Sequence, residues 1–150
     1  MNDLIKGAHI TKLKQSMESA INSKEMEQIE FPLEHLFTAT QYARRIFVPA
    51  GATVITAVHK SQHITIALKG HCVVVDELGD RKDVIAPSVF VTEPGTQRAV
   101  YAVTDTEWVT VHTYEDEDKS LETVEKTLVC DSMQEYETAC LEADIWRLQS

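Results

Sequence analysis

The sequence predicts an all-β domain, a sandwich or barrel of about eight strands, with an α-helical extension at each end. Three observations carry this expectation. Between residues 42 and 114 short runs rich in Val, Ile, Thr and aromatics repeat with a period of two. Gly and Pro mark many of the joins, at intervals of about 8–12 residues, the spacing of sandwiches and barrels rather than of βαβ units. Outside that stretch the apolar period lengthens to three or four residues.

At 150 residues and 16.9 kDa the chain has the size of one domain. Its composition, 43% hydrophobic and 25% charged, excludes collagen-like, coiled-coil and disordered classes. A net charge of −10 argues against a basic surface for nucleic acid or anionic lipid, so neither is expected as a partner. The three cysteines, Cys72, Cys130 and Cys140, form no CxxC, which excludes a disulfide framework and a zinc knuckle. No apolar run approaches a membrane span, and a cytoplasmic location is expected, the host cytoplasm or a virion if the gene is viral.

The elements follow in order. Ile10, Leu13, Met17, Ala20 and Ile21 lie on one face of a helix over residues 9–27, which Pro32 keeps from continuing. Strands are expected at Tyr42–Val48, Thr53–His59, His63–Lys69, His71–Glu77, Arg81–Ile85, Ser88–Glu93, Gln97–Val103 and Glu107–Tyr114. Leu121, Val124 and Leu128 form a second helical stripe, preceded by the acidic run Glu115–Asp118, which suits the positive end of a helix dipole. Ser132 and Glu135 have capping-box spacing and open a third helix bearing Tyr136, Ala139, Cys140 and Ala143. Charge follows the same division. Residues 1–41 hold six acids and four bases, residues 42–114 seven of each, and residues 115–150 eleven acids and three bases. The expected organisation is an N-terminal helical extension (1–41), a β-barrel (42–114) and an acidic C-terminal helical extension (115–150).

Within the barrel, Gly51, His59, His63 and Gly70 fall at positions of a known motif: a Gly, then His-x-His, three residues, Glu, six residues and Gly. Pro94-Gly95-Thr96-Gln97-Arg98 falls on a second, Pro-x-Gly, two residues and His. On these residues the stretch 42–113 resembles the cupins, which implies a double-stranded β-helix (jelly roll) and a metal site inside it. The chain departs from the pattern at Ala57, where the first His is expected, at His63 in the Glu position, and at Arg98 in the last His position. The segments YARRIFVPAG, SQH, EPGTQRAVYAV and DTEWVTVH look more specifically like small cupin-like proteins often encoded by tailed bacteriophages. That resemblance implies a phage or prophage context and no defined activity.

Alternation puts Thr53, Ile55, Ala57 and His59 on one face, and His63, Thr65 and Ala67 on one face of the next strand. In the cupin template both sets point inward, leaving imidazoles among small side chains, where a packed core would carry Val, Ile or Leu. His112, on the last strand, is the third candidate. Three imidazoles at one point suit a divalent transition metal such as Zn, Fe, Ni, Cu or Mn, with a coordination position left open. The convergence of His59 and His63 depends on a tight turn at Lys60–Gln62. The competing reading is a hydrogen-bonded pair of polar core histidines. Arg98 opposes a bound cation unless an anion compensates. It pairs with Glu93 or Glu107, or receives the carboxylate or phosphate of a small ligand that Trp108 and Thr65 also contact. His71 is expected near the rim, His9 and His35 on the surface, and Cys72 in the core.

No GxSxG, HExxH, P-loop or GxGxxG occurs. Ile64, Ile66 and Leu68 face away from the barrel interior and need a cover, either the terminal helices or a second subunit. The resemblance to cupins implies a homodimer through a sheet face. Three functions are therefore compared: a barrel holding a metal or small anionic ligand, a virion or assembly component, and a host-directed factor sequestering a small molecule or protein. The first is the expectation, with no enzymatic activity assigned.

Overall fold

A computed structural model of the chain describes residues 8–24 and 30–149. Its first element, α1 (Ala8–Asn22), covers most of the expected first helix, whose final residues 25–27 lie outside the described residues. Eleven strands follow: β1 (Leu33–Phe37), β2 (Gln41–Val48), β3 (Thr53–Ile55), β4 (Val58–His59), β5 (His63–Lys69), β6 (His71–Val75), β7 (Arg81–Ile85), β8 (Ser88–Thr92), β9 (Ala99–Ala102), β10 (Thr106–Thr113) and β11 (Val129–Cys130). Helices α2 (Leu121–Leu128) and α3 (Met133–Gln149) flank β11.

Every strand pairing is antiparallel. One sheet has the order β1-β2-β10-β5-β8, a second β3-β9-β6-β7, and β11 pairs with β4 alone. Between the two larger sheets lies a core of Ala67, Cys72, Val74, Val84, Val100 and Trp108. Strand β5 shows why the sequence folds this way. Its alternation buries His63, Thr65 and Ala67 and leaves Ile64 and Leu68 exposed. Gly70, at φ +93°, then turns the chain into β6. A Cβ there would overlap the backbone carbonyl of Asp105, so the turn requires glycine on both conformational and steric grounds.

The ends of the chain are built into this sandwich. Ile10 of α1 is fully buried, and Leu13, Met17 and Ile21 line a groove with Val73, Val75 and Tyr101 of the four-stranded sheet. His9, expected on the surface, is exposed there and bonds through Nε2 to the Asp76 carbonyl at 2.6 Å. Helix α2 is capped by Ser120, whose side chain accepts from the Thr123 amide. Its buried face, Val124 and Leu128, packs on Tyr42 and Tyr114. The first half of the expected capping box forms at α3, with Ser132 Oγ accepting from the Glu135 amide at 3.1 Å, while the Glu135 carboxylate accepts from the Asp131 amide, one residue before the cap, at 3.1 Å. Among the described residues, no helix is long and apolar enough to cross a membrane.

Three expectations about the elements are corrected. The five-stranded sheet starts at Leu33 rather than Tyr42, because residues 33–37 pair with β2 instead of remaining helical. His35 consequently sits on a strand, half-buried, with Nδ1 2.7 Å from the Tyr42 hydroxyl. The expected strand Thr53–His59 breaks at Thr56-Ala57, which lets β3 pair with β9 and β4 with β11. Its single inward parity is therefore lost. Val54, not Thr53, packs in the core beside Val48, Ala52 and Ala102, while His59 still turns inward. Finally, the acidic C-terminal stretch includes strand β11, so it completes the β-structure as well as extending it.

Candidate metal centre and its cavity

The site is assembled from neighbouring strands. In the five-stranded sheet β10 pairs with β2 and with β5, bringing His112 opposite Tyr42, and Thr110 opposite both Arg44 and Thr65. His63 opens β5 opposite Thr92 of β8. His59 arrives from β4, where Val129 of β11 is its partner. The turn at 60–62 is pinned from the C-terminal side, with the Lys60 amide donating to the Leu128 carbonyl at 2.8 Å and Lys60 Nζ to the Lys126 carbonyl at 2.6 Å.

His59, His63 and His112 are all buried and stand together. Ring centroids are 4.4 Å apart for His59 and His63, 4.2 Å for His63 and His112, and 5.9 Å for His59 and His112. One nitrogen of each ring lies within 4.8 Å of the other two. No hydrogen bond joins the three rings. His63 Nδ1 is 3.1 Å from the Ser61 carbonyl, which can only accept, so the proton sits on Nδ1 and Nε2 keeps its lone pair. That Nε2, together with His59 Nδ1 and His112 Nδ1, is buried without a hydrogen-bond partner. A buried unpaired ring nitrogen is costly, and each of the three clustered histidines carries one. These residues fit a divalent ion, since imidazole nitrogens bind Zn and similar metals at about 2.0–2.1 Å. The second nitrogen of His112 lies 3.1 Å from Thr110 Oγ1, the outer support that a ligating histidine commonly has.

Burial, and then the neighbouring imidazoles and guanidiniums, push His59 down to about 3. His112 is likewise brought to about 3, first by burial and then by His63. Burial also lowers His63, partly opposed by the bond to Ser61. All three are therefore neutral at pH 7, the form that binds metal.

Beside the triad lies a cavity of about 240 Å³, lined by His59, His63, Thr65, Arg98, Trp108 and Arg44 among others. His112 instead faces a smaller crevice of about 90 Å³, shared with His59, Arg44 and residues of α2. Of the ligand-contact residues expected, Arg98, Trp108 and Thr65 all reach the larger cavity. Thr65 Oγ1 is bonded to Thr92 Oγ1 at 2.7 Å, and Trp108 packs edge-on to Phe90.

The expected ion pairs of Arg98 are absent. Glu93 is taken by Gln62 at 3.0 Å and Glu107 by Arg45, on the outer face of the sheet. Arg98 instead lies over the Phe90 ring at 5.6 Å, with Nη1 3.4 Å from Thr92 Oγ1. Its backbone is fixed to Thr56 through the Thr56 hydroxyl and amide. His71 is half-exposed and pairs with Asp83 at 2.8 Å, and Cys72 is fully buried, both as expected. Sequence reasoning missed Arg44. The signal was present: on β2 the alternation Tyr42, Arg44, Ile46, Val48 carries Arg44 inward while Arg45 turns out to Glu34 and Glu107.

No protein-family model matches the sequence, and no curated protein matches it. Solved structures do resemble this one. KdgF from Halomonas sp. is 16% identical with a TM-score of 0.50, covering 63% of this chain and 89% of its own. Salicylate 1,2-dioxygenase from Pseudoaminobacter salicylatoxidans, solved as adducts with gentisate, is 11% identical with a TM-score of 0.50, covering 69% of this chain and 31% of its own. An RmlC-like cupin family protein with a double-stranded β-helix fold, from Methanocaldococcus jannaschii, is 13% identical with a TM-score of 0.49, covering 59% of this chain and 84% of its own. At such identities the likeness is one of fold. The chain adopts the all-β, cupin-type double-stranded β-helix, with helices at both ends.

Proposed function

We propose that this protein is a small metal-binding cupin whose barrel holds a divalent transition ion on His59, His63 and His112 and admits a small anionic ligand beside it. The observation that carries the reading is the set of three buried ring nitrogens left without hydrogen-bond partners in one cluster. An all-imidazole donor set favours Zn, Fe, Ni or Cu over Mn, which prefers oxygen ligands. A bound ion would supply Lewis acidity and, at an open position, an activated water. The chain's own residues keep the imidazoles neutral, orient His63 through Ser61, and supply in Arg98 a cation suited to an anionic ligand.

Elemental analysis tests this on untagged protein purified without chelator. The expected result is close to one equivalent of transition metal, sharply reduced in His63→Ala. Protein that takes up no ion even after reconstitution would overturn the metal centre.

The partner proposed is a second copy of the chain. Ile64, Val89 and Val91 are 40%, 67% and 50% exposed on the outer face of the five-stranded sheet. Ile64 and Val91 stand opposite one another in the β5–β8 register, so these residues form one patch. A virion role or a host-directed role rests on the phage resemblance alone, and no feature of the described residues favours either.

A further inference from the structure

We infer that the cavity beside the histidines is built for a small dicarboxylate, with one acid group on Arg44 and the other on Arg98. The inference deepens the reading of the barrel as a ligand site and names the class of ligand. Both arginines line the cavity, and no aspartate or glutamate does. Among the described residues no ion pair reaches either guanidinium. The contrast with Arg45 is direct, since that neighbour is paired with Glu34 and Glu107 on the outside. The carboxylates acting on Arg98 are Glu77 and Asp76, which influence it without bonding to it. Two guanidiniums without an ion-pair partner among the described residues line one half-enclosed space next to the imidazoles. Glu77 and Asp76 act on Arg98 only through space, and Glu125 shares the neighbouring crevice with Arg44, so a ligand carboxylate would give each its direct partner. A divalent ion on the histidines would add to the positive charge there.

Strand register places the two arginines at opposite ends of the cavity. Arg44, Thr110, Thr65 and Phe90 stand opposite one another across β2, β10, β5 and β8. The Arg98 guanidinium lies over Phe90, so the arginines occupy the two ends of one row. Three strand spacings of about 4.8 Å separate the row's end backbones by about 14 Å. Thr110 and Thr65 form the floor between them, and the histidines stand beside it. Both guanidiniums act electrostatically on His59 and His63, which puts them on the same space.

Size and surface select among anions. A cavity of about 240 Å³ corresponds to about eight waters at about 30 Å³ each. Succinate has eight non-hydrogen atoms and glutarate nine. Ile46, Val48, Val54 and Trp108 offer apolar wall to a short carbon chain. Carboxylates match the planar, two-pronged donor set of arginine.

Calorimetry on the full, metal-loaded chain tests the proposal, with succinate and glutarate as probes, glutaramide as the neutral control and inorganic phosphate as the alternative anion. Saturable binding of a dicarboxylate is expected, with no binding of glutaramide. Arg44→Gln and Arg98→Gln should each weaken it at least tenfold with circular dichroism and metal content unchanged, and Arg44→Lys should restore part of the loss. Glutaramide or phosphate binding as tightly as glutarate, glutamine variants that bind normally, or no binding by any three- to six-carbon dicarboxylate would overturn it. Metal content measured on the same samples separates the two readings. Full metal without dicarboxylate binding sinks this inference alone. Arginine-dependent glutarate binding to protein that never holds metal sinks the metal centre alone.

Discussion

His63 shows how one residue can be committed to a task by its neighbours. The Ser61 carbonyl fixes its proton on Nδ1 and leaves Nε2 free and buried. His63→Ala should therefore lower metal affinity at least tenfold by metal titration, while His63→Gln should fold normally and bind equally poorly. The histidines also set a pH dependence in metal-free protein. His59 and His112 titrate near 3 when folded and near the ordinary 6.5 when unfolded, so between those values the unfolded chain binds protons that the native chain does not. Stability is then fully present above about pH 6.5 and falls on acidification, by up to about 1.4 kcal/mol per pH unit for each histidine. Urea denaturation between pH 7.5 and 4.5 should show this slope, flattened in His59→Gln. His59 and His63 were legible through motif spacing and His112 through its place on the last strand, whereas the parity that grouped His59 with Thr53 fails at the break after Ile55. Arg44 was legible too, through its alternation with Tyr42, Ile46 and Val48, but was overlooked beside the chemically identical Arg45 on the other face.

At the level of elements, the C-terminal segment supports the turn beside the histidine cluster. Leu128 is 5% exposed, packs on Tyr42 and Tyr114, and presents its carbonyl to the turn that follows His59. Leu128→Ala should cost about 2–5 kcal/mol in chemical denaturation, and should weaken metal binding although residue 128 supplies none of the proposed ligand atoms. Normal metal affinity in a destabilised variant would mean that β4 holds His59 without help. Seven of the eight expected strands appear as single strands, because most carry their own alternation and end at or near Gly or Pro, and the eighth, Thr53–His59, appears as two. β1 and β11 escaped for different reasons. Leu33–Phe37 is half polar and mostly exposed, an edge strand with little pattern to read. Val129–Cys130 is two residues long, and its pairing to Val58 and His59 is a long-range event that no local window contains. The break at Thr56-Ala57 escaped for the same reason, since it exists to serve two separate pairings.

For the molecule as a whole, among the described residues, helix α1 covers the outer face of one sheet of the sandwich, while apolar side chains on the outer face of the other are exposed. Helix α1 lies against the four-stranded sheet, whereas Ile64, Val89 and Val91 on the five-stranded sheet remain open. Size-exclusion chromatography with light scattering should report a dimer at micromolar concentration, and Val91→Lys a monomer with unchanged metal content. A wild-type monomer would remove the proposed self-association while leaving the interior site untouched. The pairing of His59 with Val129 has one more consequence, for biosynthesis. A growing polypeptide offers His59 its β11 partner only after residue 130 has emerged, so the proposed metal site is completed only once translation has passed that point. If the proposed site holds its ion, metal loading is expected late in synthesis, and a product ending before residue 129 is expected to bind it weakly.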